Sequence, residues 1–171
     1  MEELKKINEI TSPDSRTTSF VIVNWETGQK REFSICDLHE QVELIRLDET
    51  TVPEEVRSQF NVARNLCLYS WYCYSFHNVA CFKAYSTIEM ALRIRLGKAN
   101  EAVCYLRPML DEALARGILQ DKSALETIPY LRNLAAHGSP MNAPWSVPML
   151  RRCAETLNEL FAVTEDAPNV S

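Results

Sequence analysis

Apolar and polar residues from Pro53 onward recur at the three- and four-residue spacing that predicts amphipathic helices. Glycine and proline residues separate the segments and suit helix ends. The first predicted helix begins after Pro53, and the second ends at Gly97. The third covers 106–116 before Gly117. The fourth runs from about Thr127 and Pro129 to His137-Gly138, and the last follows Pro148. This pattern predicts a mainly α fold, an antiparallel bundle of four to five helices.

The N-terminal third has a different pattern. Two β-rich segments flank Glu26-Thr27-Gly28-Gln29, which predicts a β-hairpin. Asp37 with Glu40 resembles a capping box and favours a helix over 37–47, although a strand is the alternative. Residues 1–18 are polar and predict a weak helical turn followed by a flexible linker. We therefore expect an N-terminal extension over 1–52, a helical domain over 53–163 and a flexible tail over 164–171.

The composition is that of an ordinary globular protein, with 46% hydrophobic and 24% charged residues among 171. No apolar run approaches the roughly 20 residues that cross a bilayer, and the charged N-terminus lacks the apolar segment of a signal peptide. The six cysteines form no Cys-x-x-Cys pair and have no zinc-ligand spacing. We expect a cytoplasmic protein with reduced thiols, no membrane partner, and neither metal nor other cofactor.

The net charge of −5 is unevenly distributed. Residues 1–60 hold 7 basic and 13 acidic side chains, whereas residues 61–152 hold 11 basic and 6 acidic ones. The last 19 residues add four acidic side chains and no basic one. A basic middle segment permits an anionic partner on one face, without demanding it.

The most informative stretch is "LRNLAAHG", residues 131–138, where three polar side chains interrupt an apolar helical pattern. Asn133 and His137 are four residues apart and share one helix face, and the long side chain of Arg132 can reach the same region. A histidine at a helix C-terminus is favoured in its protonated form. Cleavage of RNA by its own 2′-hydroxyl needs proton transfer and positive charge at the phosphorane. Histidine and arginine supply these without a metal.

Structural explanations for these residues remain open. A helix often ends in His-Gly, and an arginine can simply pair with a carboxylate. Glu89 either orients Arg132 or pairs with Arg93 one turn away. Arg93, with Arg95 and Lys98, either contacts phosphate or forms a solvated helix end. We expect His77 to be packed rather than a ligand. The aromatic cluster before it suits a core or dimer interface better than base stacking; its members are Tyr69, Trp71, Tyr72, Tyr74 and Phe76.

Arg132-Asn133-x-x-x-His137 resembles the Arg-x(4–6)-His motif of the HEPN superfamily, in which a polar residue typically follows the arginine. "FKAYSTIEMALRIRLG" is similar to the family's long second helix, and "LRNLAAHG" to its fourth. The resemblance covers roughly residues 55–163. It implies a helical bundle, usually a homodimer, and metal-independent endoribonuclease activity in toxin–antitoxin, phage-defence or RNA-processing systems. By this analogy Arg132 and His137 are catalytic, Asn133 supports them, and an antitoxin or other protein is a possible partner.

Three functions follow from these observations. The first is a homodimeric, metal-independent endoribonuclease that acts on RNA through a site between subunits. The second is a non-catalytic module of the same fold that binds RNA, a nucleotide or a protein. The third is a structural dimerisation domain without a ligand.

Overall fold

The computed structural model describes residues 4–102, 104–136 and 146–162. In these ranges the chain is mainly helical with one small antiparallel hairpin, as predicted. A 3₁₀ turn covers Ile7–Glu9, and the strands are β1 (Val21–Val23) and β2 (Lys30–Glu32). The helices are α1 (Ser15–Thr18), α2 (Ile35–Glu43), α3 (Glu54–Tyr69), α4 (Phe76–Arg95), α5 (Leu106–Ala115), α6 (Ala124–Ala136) and α7 (Ser146–Phe161).

Helix α4 forms the centre of the bundle and contacts α3, α5, α6 and α7. Its buried positions share one broad face of the helix, with residues three, four and seven apart recurring along it. Small residues at three of these positions, Ala80, Ala84 and Ala91, are fully buried. Larger side chains from the neighbouring helices complete the core, among them Phe60, Leu110, Leu150 and Leu157.

The hairpin forms at the predicted place. Val21 pairs with Glu32 and Val23 with Lys30. The Asn24 side chain accepts hydrogen bonds from the backbone N–H groups of Glu26 and Thr27. Gly28 adopts a φ of 69°, a left-handed conformation that favours glycine.

Several predicted helix starts are wrong by two or three residues. Helix α2 begins at Ile35, because the capping box is formed by Ser34 and Asp37 rather than by Asp37 and Glu40. Helix α6 begins at Ala124, and the Ser123 carbonyl accepts hydrogen bonds from the N–H groups of Glu126 and Thr127. Helix α7 begins at Ser146, so Pro148 lies in its first turn, where a missing N–H costs little.

The predicted flexible linker before the hairpin is also wrong. Asp14 is buried and caps α1, its backbone N–H donates to the Trp71 carbonyl, and Thr17 is buried beside it. The Arg16 guanidinium holds the pKa of the Asp14 carboxyl well below its usual range. This polar cluster attaches α1 to the end of α3.

The N-terminal segment shares the core of the helical part. Leu38 and Val42 of α2, with Ile45, Leu47 and Val52 after it, belong to one buried cluster with the residues of α3 and α4. The domain boundary at residue 52 stays a prediction, and the predicted tail over 164–171 lies outside the described residues. None of the helices described is long and apolar enough to span a membrane.

Candidate functional site

Three charged side chains from α4 and α6 meet beside the core. Glu89 Oε1 lies 3.3 Å from Arg93 Nη2, and Glu89 Oε2 lies 3.5 Å from Arg132 Nη2. Arg93 Nη2 also donates to the Cys104 carbonyl oxygen at 3.3 Å. One carboxylate therefore links two guanidinium groups, and this three-residue group carries a net charge of +1. We call Glu89, Arg93 and Arg132 the charged cluster.

The charged cluster is partly shielded from solvent. The Glu89 side chain is 20% exposed and that of Arg132 is 37% exposed. Arg132 Nε is buried and has no hydrogen-bond partner among the described residues. Its Nη1 donates to Asn133 Oδ1 at 3.3 Å. The guanidinium is thus held from two sides while part of it faces solvent, an arrangement that can donate a hydrogen bond to a phosphate oxygen.

Asn133, predicted as a site residue, is exposed next to Arg132. His137, the predicted proton-transfer residue, lies outside the described residues. Tyr130 was not among the predicted residues, yet it is 66% exposed and lies three positions before Asn133, which places both on one face of α6. The i, i+3 spacing was the signal that could have identified it.

The two alternatives for Glu89 both occur in the structure. Its local pair with Arg93 and its tertiary pair with Arg132 use different carboxylate oxygens.

Two of the three cations near the end of α4 form their contacts elsewhere. Arg95 donates to the Leu160 carbonyl at 2.8 Å, and Lys98 pairs with Glu112 at 2.5 Å. Of these three cations, only Arg93 belongs to the charged cluster.

The remaining candidate groups are mostly structural. Trp71 is buried, Tyr72 packs against the core, and Arg16 stacks on the Tyr74 ring at 4.6 Å. Tyr69 is the exception, at 57% exposed. Two of the five aromatic side chains thus pack in the core, and the dimer interface stays a prediction.

His77 is packed, as predicted, and 6% exposed. Its Nδ1 lies 2.5 Å from Ser146 Oγ, and its ring contacts Tyr74 edge-on at 5.0 Å. Burial lowers the pKa of His77 to about 4, because the charged form loses its solvation. His77 is therefore neutral at physiological pH.

None of the six cysteines, which all lie within the described residues, forms a disulfide, and three of them, Cys67, Cys81 and Cys153, are buried. Burial raises the pKa of Cys67 to about 11 and that of Cys81 to about 12. These thiols act as small apolar side chains rather than nucleophiles.

No cluster of three or more potential metal ligands occurs in the part of the chain that the structure describes. Comparison with protein-family models, with curated proteins and with solved structures yields no match. The functional argument therefore depends on the charged cluster and on the sequence that follows it.

Proposed function

We propose that the protein is a metal-independent endoribonuclease of the HEPN type, acting as a homodimer on RNA. The observation that supports this proposal best is the ion pair between Glu89 and Arg132, which orders a half-exposed arginine five residues before His137. Ordering this guanidinium before the substrate arrives reduces the entropy lost when it binds a phosphate.

Each residue has a distinct role in this mechanism. Arg132 donates to a nonbridging oxygen of the scissile phosphate and stabilises the negative charge of the phosphorane. His137 transfers a proton, either from the attacking 2′-hydroxyl or to the leaving 5′-oxygen. Asn133 positions the phosphate or the imidazole through its amide. Glu89 is a positioning residue, because it acts through Arg132, and Arg93 holds the other side of its carboxylate.

A second copy of the chain completes the mechanism. One subunit offers one His137, whereas the reaction needs both a base and an acid. A two-fold axis brings the same patch of both subunits together and doubles every group in it. We therefore place the site between two subunits, with Arg132 and His137 from each.

A cleavage assay on mixed-sequence RNA in excess EDTA tests this function. The wild type should cut RNA, while His137→Ala and Arg132→Ala should each lose at least about 100-fold in rate. Arg107→Ala is the matched control, because Arg107 is an exposed arginine that pairs with Asp111 on α5, outside the charged cluster. Loss of cutting on addition of EDTA, or full activity in both site variants, would contradict the proposal.

One observation favours a non-catalytic module as the second candidate. Arg132 already pairs with Glu89, and its Nε is buried, as in a purely structural link between α4 and α6. In that case RNA or a nucleotide would raise the melting temperature without being cut, and a folded, dimeric wild type would show no turnover.

A further inference from the structure

A second candidate site lies away from the charged cluster, between the hairpin region, α2 and the start of α7. It is a cavity of about 550 Å³, within the size range of small-molecule sites. Phe20, Phe33, Leu38 and Val147 provide its apolar walls. The Phe20 and Phe33 rings meet edge-on with centroids 6.4 Å apart, which fixes the shape of one wall.

His77 also lines this cavity and has an unmet hydrogen-bonding group. Its Nε2 is buried without a partner among the described residues. Ser146 Oγ contacts both His77 Nδ1 and Cys67 Sγ, at 2.5 and 3.2 Å. These distances fit a hydrogen-bond relay in either direction, and both directions leave Nε2 without a partner among the described residues. His77 thus lines the cavity as a neutral ring, and its Nε2 is closed to solvent.

The rim of the cavity carries charges of both signs. Arg151, Arg152 and Glu155 line it. Arg152 pairs with Asp121 and with Glu155, so its charge is compensated. Arg151 is exposed and forms no ion pair with any residue that the structure describes. A ligand in this cavity meets apolar walls and, at the entrance, the Arg151 guanidinium, which has no ion-pair partner among the described residues.

We propose that this cavity binds a small carboxylate with an aromatic or branched apolar body. The carboxylate pairs with Arg151, and the apolar body packs on Phe20, Phe33 and Val147. A neutral ligand of the same shape loses the pairing with Arg151, and a cationic one is repelled by it. The proposal does not depend on RNA cleavage, since it involves no residue of the charged cluster.

Three probes of equal shape and different charge test this inference: 4-phenylbutyrate, 4-phenylbutanol and 4-phenylbutylamine. Each is titrated into the full-length protein while the imidazole nitrogens of His77 and the methyl groups of Val147 are followed by NMR. We expect saturable shifts at both residues with the carboxylate, at a Kd of about 1 mM, as is typical for so small a ligand. The alcohol should bind about 10-fold more weakly, and the amine more weakly still.

Two variants connect the binding to this cavity. Arg151→Ala, at an exposed position, should weaken the carboxylate about 10-fold and leave the alcohol unchanged, whereas Arg107→Ala should change neither. Val147→Phe fills the cavity and should abolish both. The proposal is overturned if 4-phenylbutyrate gives no saturable shift at His77 up to about 10 mM. Equal affinity for acid and alcohol, or an unchanged Kd in Arg151→Ala, overturns it as well.

Discussion

Removing the carboxylate of Glu89 should destabilise the fold, because this group links α4 to α6. Glu89→Gln keeps the size of the side chain and abolishes ion pairs with two guanidinium groups, at 3.3 and 3.5 Å. Exposed pairs contribute at most about 1 kcal/mol, and breaking a buried pair costs about 3–5 kcal/mol. With 20% of the Glu89 side chain exposed, we expect a loss of about 2 kcal/mol in the free energy of unfolding. The melting temperature should fall by about 4–8 °C.

A double-mutant cycle isolates the tertiary pair from the local one. Glu89→Gln and Arg132→Met are introduced singly and together, and the free energy of unfolding of each variant is measured by urea denaturation. We expect a coupling energy of about 1–2 kcal/mol between Glu89 and Arg132. The matched cycle uses Arg107 and Asp111, whose side chains are more than half exposed, and should give about 0.3–0.5 kcal/mol.

The result that would refute this reasoning is equal coupling in the two cycles. A value below about 0.3 kcal/mol between Glu89 and Arg132 would mean that the two side chains are not held together in solution. The role of Glu89 in positioning Arg132 would then be wrong. Activity of Glu89→Gln distinguishes positioning from stability, since a positioning role predicts a loss of kcat at temperatures where the variant is fully folded.

Three further predictions concern the core and the titrating groups. Because burial lowers the pKa of His77 from 6.5 to about 4, the unfolded chain binds a proton at a higher pH than the folded one. The contribution of His77 to the free energy of unfolding should be complete above pH 6.5 and fall by about 2–3 kcal/mol toward pH 4. This loss should be absent in His77→Phe and unchanged in His39→Ala. Cys36, the one exposed thiol, should react with a disulfide reagent before the other cysteines. The buried thiols of Cys67, Cys81 and Cys153 should react only on unfolding, and fast labelling of all six cysteines would contradict their burial. Phe60→Ala should cost about 3–5 kcal/mol in urea denaturation, because Phe60 is fully buried, whereas Val62→Ala on the exposed face should cost under about 1 kcal/mol.

Helix positions were predictable where a local signal marks their ends. Gly97 and Gly117 follow α4 and α5 with φ values of 74° and 68°, and the sequence predicts a helix end at each of them. Helix starts were less predictable, since several polar residues in a row can cap. Ser34 and Asp37 compete with Asp37 and Glu40 for the same motif, and only the backbone conformation decides between them.

The charged cluster was only half predictable for a similar reason. The pair of Glu89 with Arg93 follows from helix spacing alone. The pair of Glu89 with Arg132 depends on how α4 packs against α6, which no local pattern specifies. The cavity beside His77 was not predicted, because its walls come from four separate parts of the chain, represented by Phe20, Leu38, His77 and Val147.

The most direct test of the central claim compares a random-sequence RNA with its all-2′-deoxy counterpart, both in EDTA. Attack by the 2′-hydroxyl predicts that the wild type cuts only the RNA, leaves 2′,3′-cyclic phosphate and 5′-hydroxyl ends, and loses this activity in His137→Ala. Equal cutting of the deoxy strand, 5′-phosphate ends, or no cutting by the folded dimer would contradict the assignment of Arg132 and His137 as the catalytic pair.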